Sequence, residues 1–238
     1  MCGRYSFGKT DRADWVRFGV PAVPNLAPNW NISPGSAVLA VRERTVPGAH
    51  AARDSAAAVQ RETALLRWGL VPAWASEPAI GNRFVNARAE SAHERTAFRE
   101  AFRARRCLLP ADAFYEWQAI PGQKRKQPWR VEPVDGGLLA LGALWESWRG
   151  RAGEAIESCT ILTVPANASL GQIHDRMPVI VAPGAFNAWL SPETPHDRVR
   201  DLCRPAPDTA LKAWRISLDI NIAANNDAGL ARPLNADD

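Results

Sequence analysis

Apolar residues recur at three- and four-residue spacing through "AESAHERTAFREAFRARR", where Ala92, Ala97, Phe98, Ala101 and Phe102 form one stripe. That period predicts a helix with one buried face. Elsewhere the apolar runs are short and bounded by turn-rich loops. "ALLRWGLVPAW", "CLLPADAFYEW", "PWRVEPV", "LLALGALWESW", "SCTILTVPA" and "MPVIVAP" therefore predict strands. "PNWNISPGSAVLAVRER" passes from a Pro/Gly loop into another strand. "TDRADWVRFG" reads as a short helix opened by Thr10 or Asp11 and closed by Gly19. "APGAFNAWLSP" and "SPETPHDRVRDLCRP" are short late helices, each announced by Pro or Ser. "EPAIGNRFVNAR" reads as a loop, and "AIPGQKRKQP" as a basic hairpin tip, a solvated turn rather than a binding patch. Residues 46–62 are polar and alanine-rich without a period, which suggests a mobile hairpin tip, and residues 229–238 read as a loose tail. No repeat or linker divides the chain. The pattern favours a single α+β domain built on antiparallel strands.

Composition narrows the class. With 46% hydrophobic and 23% charged residues in 238, the chain can bury a proper core. It contains no run long enough to span a bilayer. Arg4, Lys9, Asp11 and Arg12 interrupt the start before any apolar secretory segment, so the expected location is the cytoplasm. The four cysteines, at 2, 107, 159 and 203, are far apart and read as free thiols. Neither they nor the four histidines fall at metal-ligand spacing, so no metal and no cofactor is expected. A net charge of +4 permits nucleic-acid binding without demanding it. The basic residues are 25 Arg against 4 Lys. A GC-rich genome explains that bias, and so does a need for bidentate phosphate contacts.

Several stretches place polar residues where a strand meets a loop: "MCGRYSF", "NISPG", "VNARAES", "AFYEWQ" and "TVPANASLGQIHDRMPVIV". Singly, each has a plain explanation. Asn86 is a candidate cap for the helix that follows. Strand alternation sends Glu116 opposite to Tyr115 and Trp117, which points it to solvent. His174 pairs readily with its neighbour Asp175, and Arg4 reads as a surface charge. Cys2 is the exception. An initiator Met before a small residue is usually removed, which would leave Cys2 with a free α-amine and a thiol on adjacent carbons.

Taken together and in this order, these stretches resemble the SOS response-associated peptidase (SRAP) family. The resemblance runs from "MCGRYSF" through "NISPG", "RWGLVPAW", "NARAES", "RRCLLPADAFYEW", "ALGALWE", "TILTVPAN" and "IHDRMPVIV" to "INIAANND", nearly the whole chain. It departs from the family pattern at Ser91, where Thr is common, and in the long segment 46–62. The resemblance implies a single α+β domain, residues 1–238, on a largely antiparallel, barrel-like β-sheet core with flanking helices. It implies binding of single-stranded DNA at abasic sites and a covalent link through the N-terminal cysteine. Catalytic positions would be Cys2, Asn86, Glu116 and His174, and DNA contacts Arg4, Asn31, Trp74, Arg88, Trp117 and Thr163. No protein partner is implied. The expected state is a monomer in the cytoplasm, associated with the nucleoid when bound to damaged DNA.

The residue chemistry agrees with that implication. An abasic deoxyribose is mostly a closed hemiacetal, and opening it to the aldehyde needs an acid and a base. His174 and Glu116 are the titratable side chains suited to those roles. The α-amine must be neutral to attack, and at pH 7 about a tenth to a sixth of it is. Attack gives an imine, which the adjacent thiol closes to a five-membered thiazolidine. Asn86, neutral with both donor and acceptor, can orient the amine or the sugar. Arg4 and Arg88 would hold flanking phosphates. Two rival readings remain open: an N-terminal-cysteine peptidase, autoproteolytic or acting on other proteins, and a non-catalytic reader of modified bases.

Overall fold

The computed structural model describes residues 2–8, 15–20, 25–46 and 58–234. Five strands close a barrel: β3 (Ala37–Val46), β4 (Ala58–Trp68), β6 (Arg106–Ala111), β9 (Leu139–Arg149) and β10 (Ala155–Pro165). Four of the barrel's pairings are antiparallel. The fifth, between β10 and β4 through Ser158–Arg67 and Cys159–Trp68, is parallel and completes the ring. Two short strands extend β10 past the ring: β5 (Asn86–Arg88) in parallel on one edge and β11 (Arg176–Pro178) antiparallel.

A second, open sheet of five antiparallel strands runs in the order β12 (Leu211–Arg215), β8 (Gln127–Pro133), β7 (Ala113–Gln118), β1 (Arg4–Phe7) and β2 (Asn29–Ile32). The two sheets share the chain at one place. β6 runs into β7 across the single residue Asp112, whose N–H donates to the Ser6 carbonyl at 2.8 Å. Such a bend lets one strand serve both sheets. The faces between them pack Tyr5 against Trp68, with ring centroids 5.4 Å apart.

Every residue of β6 is buried, because the barrel interior covers one face and packed elements cover the other. That is why "CLLPADAFYEW" carries a continuous apolar run rather than an alternation. Short helices flank the sheets, among them α1 (Ala89–Ala92), α2 (Arg99–Ala104), α3 (Ala168–Gly171), α4 (Phe186–Leu190) and α5 (His196–Leu202). The buried Arg106 ties two of them together. Its guanidinium donates to the carbonyls of Phe102, Arg103, Trp189 and Ser191, at the C-terminal ends of α2 and α4. A cation there meets the unpaired carbonyls of both helices. Burial still lowers its pKa to about 10.

One glycine is required by geometry. Gly69 follows β4 at φ +125°, and a Cβ there would lie 2.7 Å from the Gly81 carbonyl oxygen. A larger residue would push the 3-10 helix Pro78–Arg83 away from the strand that leads into β5.

Several expectations need correction. The helix read from residues 89–106 is two helices joined by turns at 93–98, where bonds such as Phe98 N–H to Arg95 O tighten the spacing. The apolar stripe is still buried, since Ala92, Phe98, Ala101 and Phe102 all lie in the core. "EPAIGNRFVNAR" is not wholly loop, because it holds the 3-10 helix and β5. Of residues 46–62, Val46 ends β3 and 58–62 belong to β4, paired from Val46–Ala58 onward, while 47–57 lie outside the described residues. The tail is ordered over Ala228–Ala231, a 3-10 turn with Leu230 buried, and 235–238 lie outside the described residues. The proposed caps Thr10 and Asp11 also lie outside them; Gly19, at φ +66°, ends that segment. Among the described residues no helix is long and apolar enough to cross a membrane.

Candidate active site

Cys2 lies immediately before β1, and the pairing of β1 with β7 fixes its surroundings. Arg4 sits opposite Tyr115, so the register continued by one residue sets Glu116 beside Gly3, next to Cys2. From the other sheet, β5 pairs β10 through Ile161–Asn86, and the Asn86 side-chain N–H donates to the Cys2 carbonyl at 2.9 Å. β10 also pairs β11, and His174 stands just before β11. Its Nε2 lies 4.0 Å from Glu116 Oε2. Three elements from two sheets thus bring Asn86, Glu116 and His174 to Cys2.

The electrostatics follow from enclosure. Cys2 is fully buried and Glu116 is 3% exposed, whereas the His174 ring keeps an open edge. Burial pushes the Glu116 carboxyl up to about 7, against the pull of the chain's own ammonium terminus. Burial lowers the pKa of His174. The Cys2 thiol is held well above its ordinary range, first by burial and then by the charge of Glu116. His174 Nδ1 accepts the Arg176 backbone N–H at 3.0 Å and lies 3.0 Å from Asp175 Oδ1. In the neutral ring this leaves the proton on Nε2, on the side that faces Glu116. Asn86 Oδ1 is buried with no hydrogen-bond partner among the described residues. An acceptor left open beside the Cys2 backbone is available to an incoming hydroxyl or amine.

Two of the plainer explanations fall here. Asn86 does not cap the next helix, since Arg88 is the residue before α1 and no side chain bonds its first N–H groups. Glu116 does not point to solvent, because both faces of β7 are covered at this point and its neighbour Tyr115 is buried as well. His174 Nδ1 does lie beside Asp175 Oδ1, a contact that becomes an ion pair only when the ring is protonated.

The six expected DNA contacts separate into exposed and enclosed groups. Trp74 is 57% exposed, and Arg88 is exposed at the end of β5. Trp117 is half-buried, its indole N–H donating to Asn221 Oδ1 at 2.8 Å. Arg4 donates to Asn31 Oδ1 at 2.5 Å and to the Ile220 carbonyl at 3.0 Å. The buried Asn31 amide in turn donates to the carbonyls of Ile220, Ile222 and Asn225. Arg4 and Asn31 therefore hold the 220–225 segment in place beside β2. Thr163 is fully buried, and Arg176 lies over it, bonding its carbonyl at 2.6 Å and Glu90 bidentately at 2.6 and 2.8 Å. Sequence reasoning quoted Arg176 and Glu90 within "HDRMP" and "NARAES" but gave them no part. It also set aside Lys126, whose charge reaches both Glu116 and His174. Among the described residues no group of three or more His, Cys, Asp or Glu is arranged to hold a metal ion.

Comparison with known proteins bears on the whole chain. The family model "SOS response associated peptidase (SRAP)" matches residues 1–223. The abasic site processing protein YoaM of Bacillus subtilis is 34% identical over 236 residues, covering 97% of each chain. The abasic site processing protein YedK of Escherichia coli is 27% identical over 245 aligned positions, covering 98% of this chain and all of that one. A crystal structure of a protein from Bacteroides thetaiotaomicron superposes with a TM-score of 0.81 at 21% identity, covering 98% of this chain and 100% of that one. That likeness shows the shared fold.

Proposed function

The chain belongs to the SOS response-associated peptidase family, and we propose that it processes abasic sites in DNA, capturing them covalently through Cys2 once Met1 is removed. The observation that carries this reading is the meeting of Asn86, Glu116 and His174 at Cys2. Relatives named for abasic site processing cover the chain nearly end to end, which supports the same substrate here.

The chemistry asks for one group that exchanges protons near neutrality and one that holds an oxygen. Glu116, with a pKa of about 7, is the exchanger. It takes the proton of the C1′ hydroxyl as the C1′–O4′ bond breaks, and the proton returns to O4′. The Nε2–H of His174 holds that departing oxygen. The neutral α-amine of Cys2 then adds to C1′, and loss of one water gives the imine. The thiol sulfur adds to the imine carbon while its proton passes through Glu116 to the nitrogen. One aldehyde and one aminothiol thus become a thiazolidine and water. Asn86 orients the Cys2 backbone throughout.

A peptidase would use Cys2 differently. A cysteine nucleophile for peptide bonds works as a thiolate, and such thiols sit in surroundings that lower their pKa. Here burial and Glu116 raise it. Imine capture needs the thiol proton removed only after the electrophile is in place. The environment of Cys2 therefore favours capture of an aldehyde over hydrolysis of a peptide. Single-stranded DNA fits better than intact duplex, since a nucleotide without a base costs little to splay into an enclosed site.

Intact-mass analysis after incubation with an abasic single-stranded oligonucleotide tests the reading. The expected product is the chain without Met1 plus the oligonucleotide less one water, absent in Cys2→Ala. Full-yield adduct in Cys2→Ala, or none with the native chain, overturns it.

A further inference from the structure

The basic turn between β7 and β8, which the residue pattern alone makes a solvated loop, forms one wall of a cleft beside the candidate active site. The cleft measures about 540 Å³ and is lined by Trp117, Arg125, Lys126, Leu218, Asp219, Asn221 and Ile222. Its two walls differ in chemistry. On one side Arg125 and Lys126 are exposed, and neither is engaged in a hydrogen bond or ion pair among the described residues. On the other, Leu218 and Ile222 are 40% and 55% exposed, large apolar side chains left open to water. The Trp117 indole closes the floor and is held by Asn221.

This apolar wall is built rather than incidental. It belongs to the segment fastened from beneath by Arg4 and Asn31, whose bonds fix the carbonyls of Ile220, Ile222 and Asn225. The one acid of the cleft, Asp219, accepts the Ser217 hydroxyl at 2.8 Å and so is turned into its own 3-10 turn. An exposed apolar face opposite two unengaged cations matches the division within a nucleotide, a flat apolar base on one side and a phosphate on the other. Lys126, one of the cleft's two cations, acts on the charge of both Glu116 and His174, which sets the cleft beside the site where the lesion would react.

We propose that this cleft binds the nucleotide next to the abasic position, its base against Ile222, Leu218 and Trp117 and its phosphate on Arg125 and Lys126. The proposal rests on the abasic-site reading above and adds a direction to the strand: one flank of the lesion is held by the cleft and the other is not. Lys126 serves both purposes, because the field it contributes at Glu116 and His174 ties occupancy of the cleft to the reacting groups.

Binding of two sets of abasic single-stranded oligonucleotides tests it, one with the lesion at the 5′ end and one at the 3′ end, each extended one nucleotide at a time. Fluorescence anisotropy with the full chain carrying Cys2→Ala keeps binding reversible. In one set only, the first added nucleotides should tighten binding by about tenfold. Arg125→Ala and Ile222→Ser should each remove that gain and leave the other set unchanged, and Arg125→Glu should weaken the same set further. Equal losses in both sets, or no loss in either, overturns the cleft as a nucleotide site and leaves it to another occupant such as a peptide. If the parent chain binds no abasic oligonucleotide at all, the abasic-site reading falls first and this proposal with it, a result distinct from the other two.

Discussion

His174 Nε2 stands 4.0 Å from Glu116 Oε2, with the carboxylate enclosed and the imidazole open at one edge. Glu116 comes from β7 of the open sheet and His174 from the loop that leads into β11 of the other, and burial moves Glu116 up to about 7 and His174 below its usual value. A proton is thus easily exchanged at the neutral pH where the Cys2 amine begins to lose its charge.

Adduct formation should rise with pH through about 7, as Glu116 ionises and becomes able to take a proton. In Glu116→Gln the overall rate should fall by ~10²–10⁴-fold, and the rise should move up to the amine alone, near about 8. Single-turnover rates from pH 5.5 to 9 check this. A Glu116→Gln profile with the native midpoint would remove Glu116 from the chemistry.

The same carboxyl should cost stability. Its folded pKa is raised from 4.5 to about 7, so between those values the folded state binds more protons than the unfolded one. Stability must then fall as pH rises through that window, by up to about 3 kcal/mol for a group this enclosed. Denaturant unfolding should show Glu116→Gln gaining on the native chain at pH 8 and little different from it at pH 4.5. A gain independent of pH would mean the carboxyl is not buried as described.

Asn31→Ala should destabilise the fold by about 2–3 kcal/mol, because it strands the carbonyls of Ile222 and Asn225 and leaves that of Ile220 only its bond from Arg4. Its effect on DNA binding should follow from the displaced 220–225 segment, so Trp117 fluorescence should change in the absence of DNA. An unaltered melting temperature would show that Asn31 is not structural.

Arg88 is exposed at the mouth of the site, and its side chain has no hydrogen-bond partner among the described residues. If it meets a phosphate, Arg88→Ala should lower the salt dependence of binding by about one contact. Thr163→Val should instead leave that slope unchanged, since Thr163 is buried beneath Arg176. Titrations across a salt series distinguish the two.

The sequence by itself determined the class of fold and singled out the residues proposed above to carry the chemistry. An aminothiol that can only arise at position 2 is legible without coordinates, because it depends on covalent order alone. So are the short apolar runs that make strands, since burial acts locally on their composition. What the tertiary structure decided is how those pieces meet. β1, only four residues long, carries too little periodicity to declare itself, yet its register on β7 sets Glu116 beside Cys2. Alternation along "FYEWQ" sends Glu116 outward, and only the covering of both faces of β7 reverses that. Asn86 has the type and position of a helix cap, and it becomes a partner of Cys2 because β5 lies alongside β10. Arg4 and Asn31 both bond the carbonyl of Ile220, 216 and 189 residues further along the chain, a tie that no local pattern announces. Strand pairing across distant parts of the chain is a property of the closed barrel and its attached sheet. No local pattern contains it.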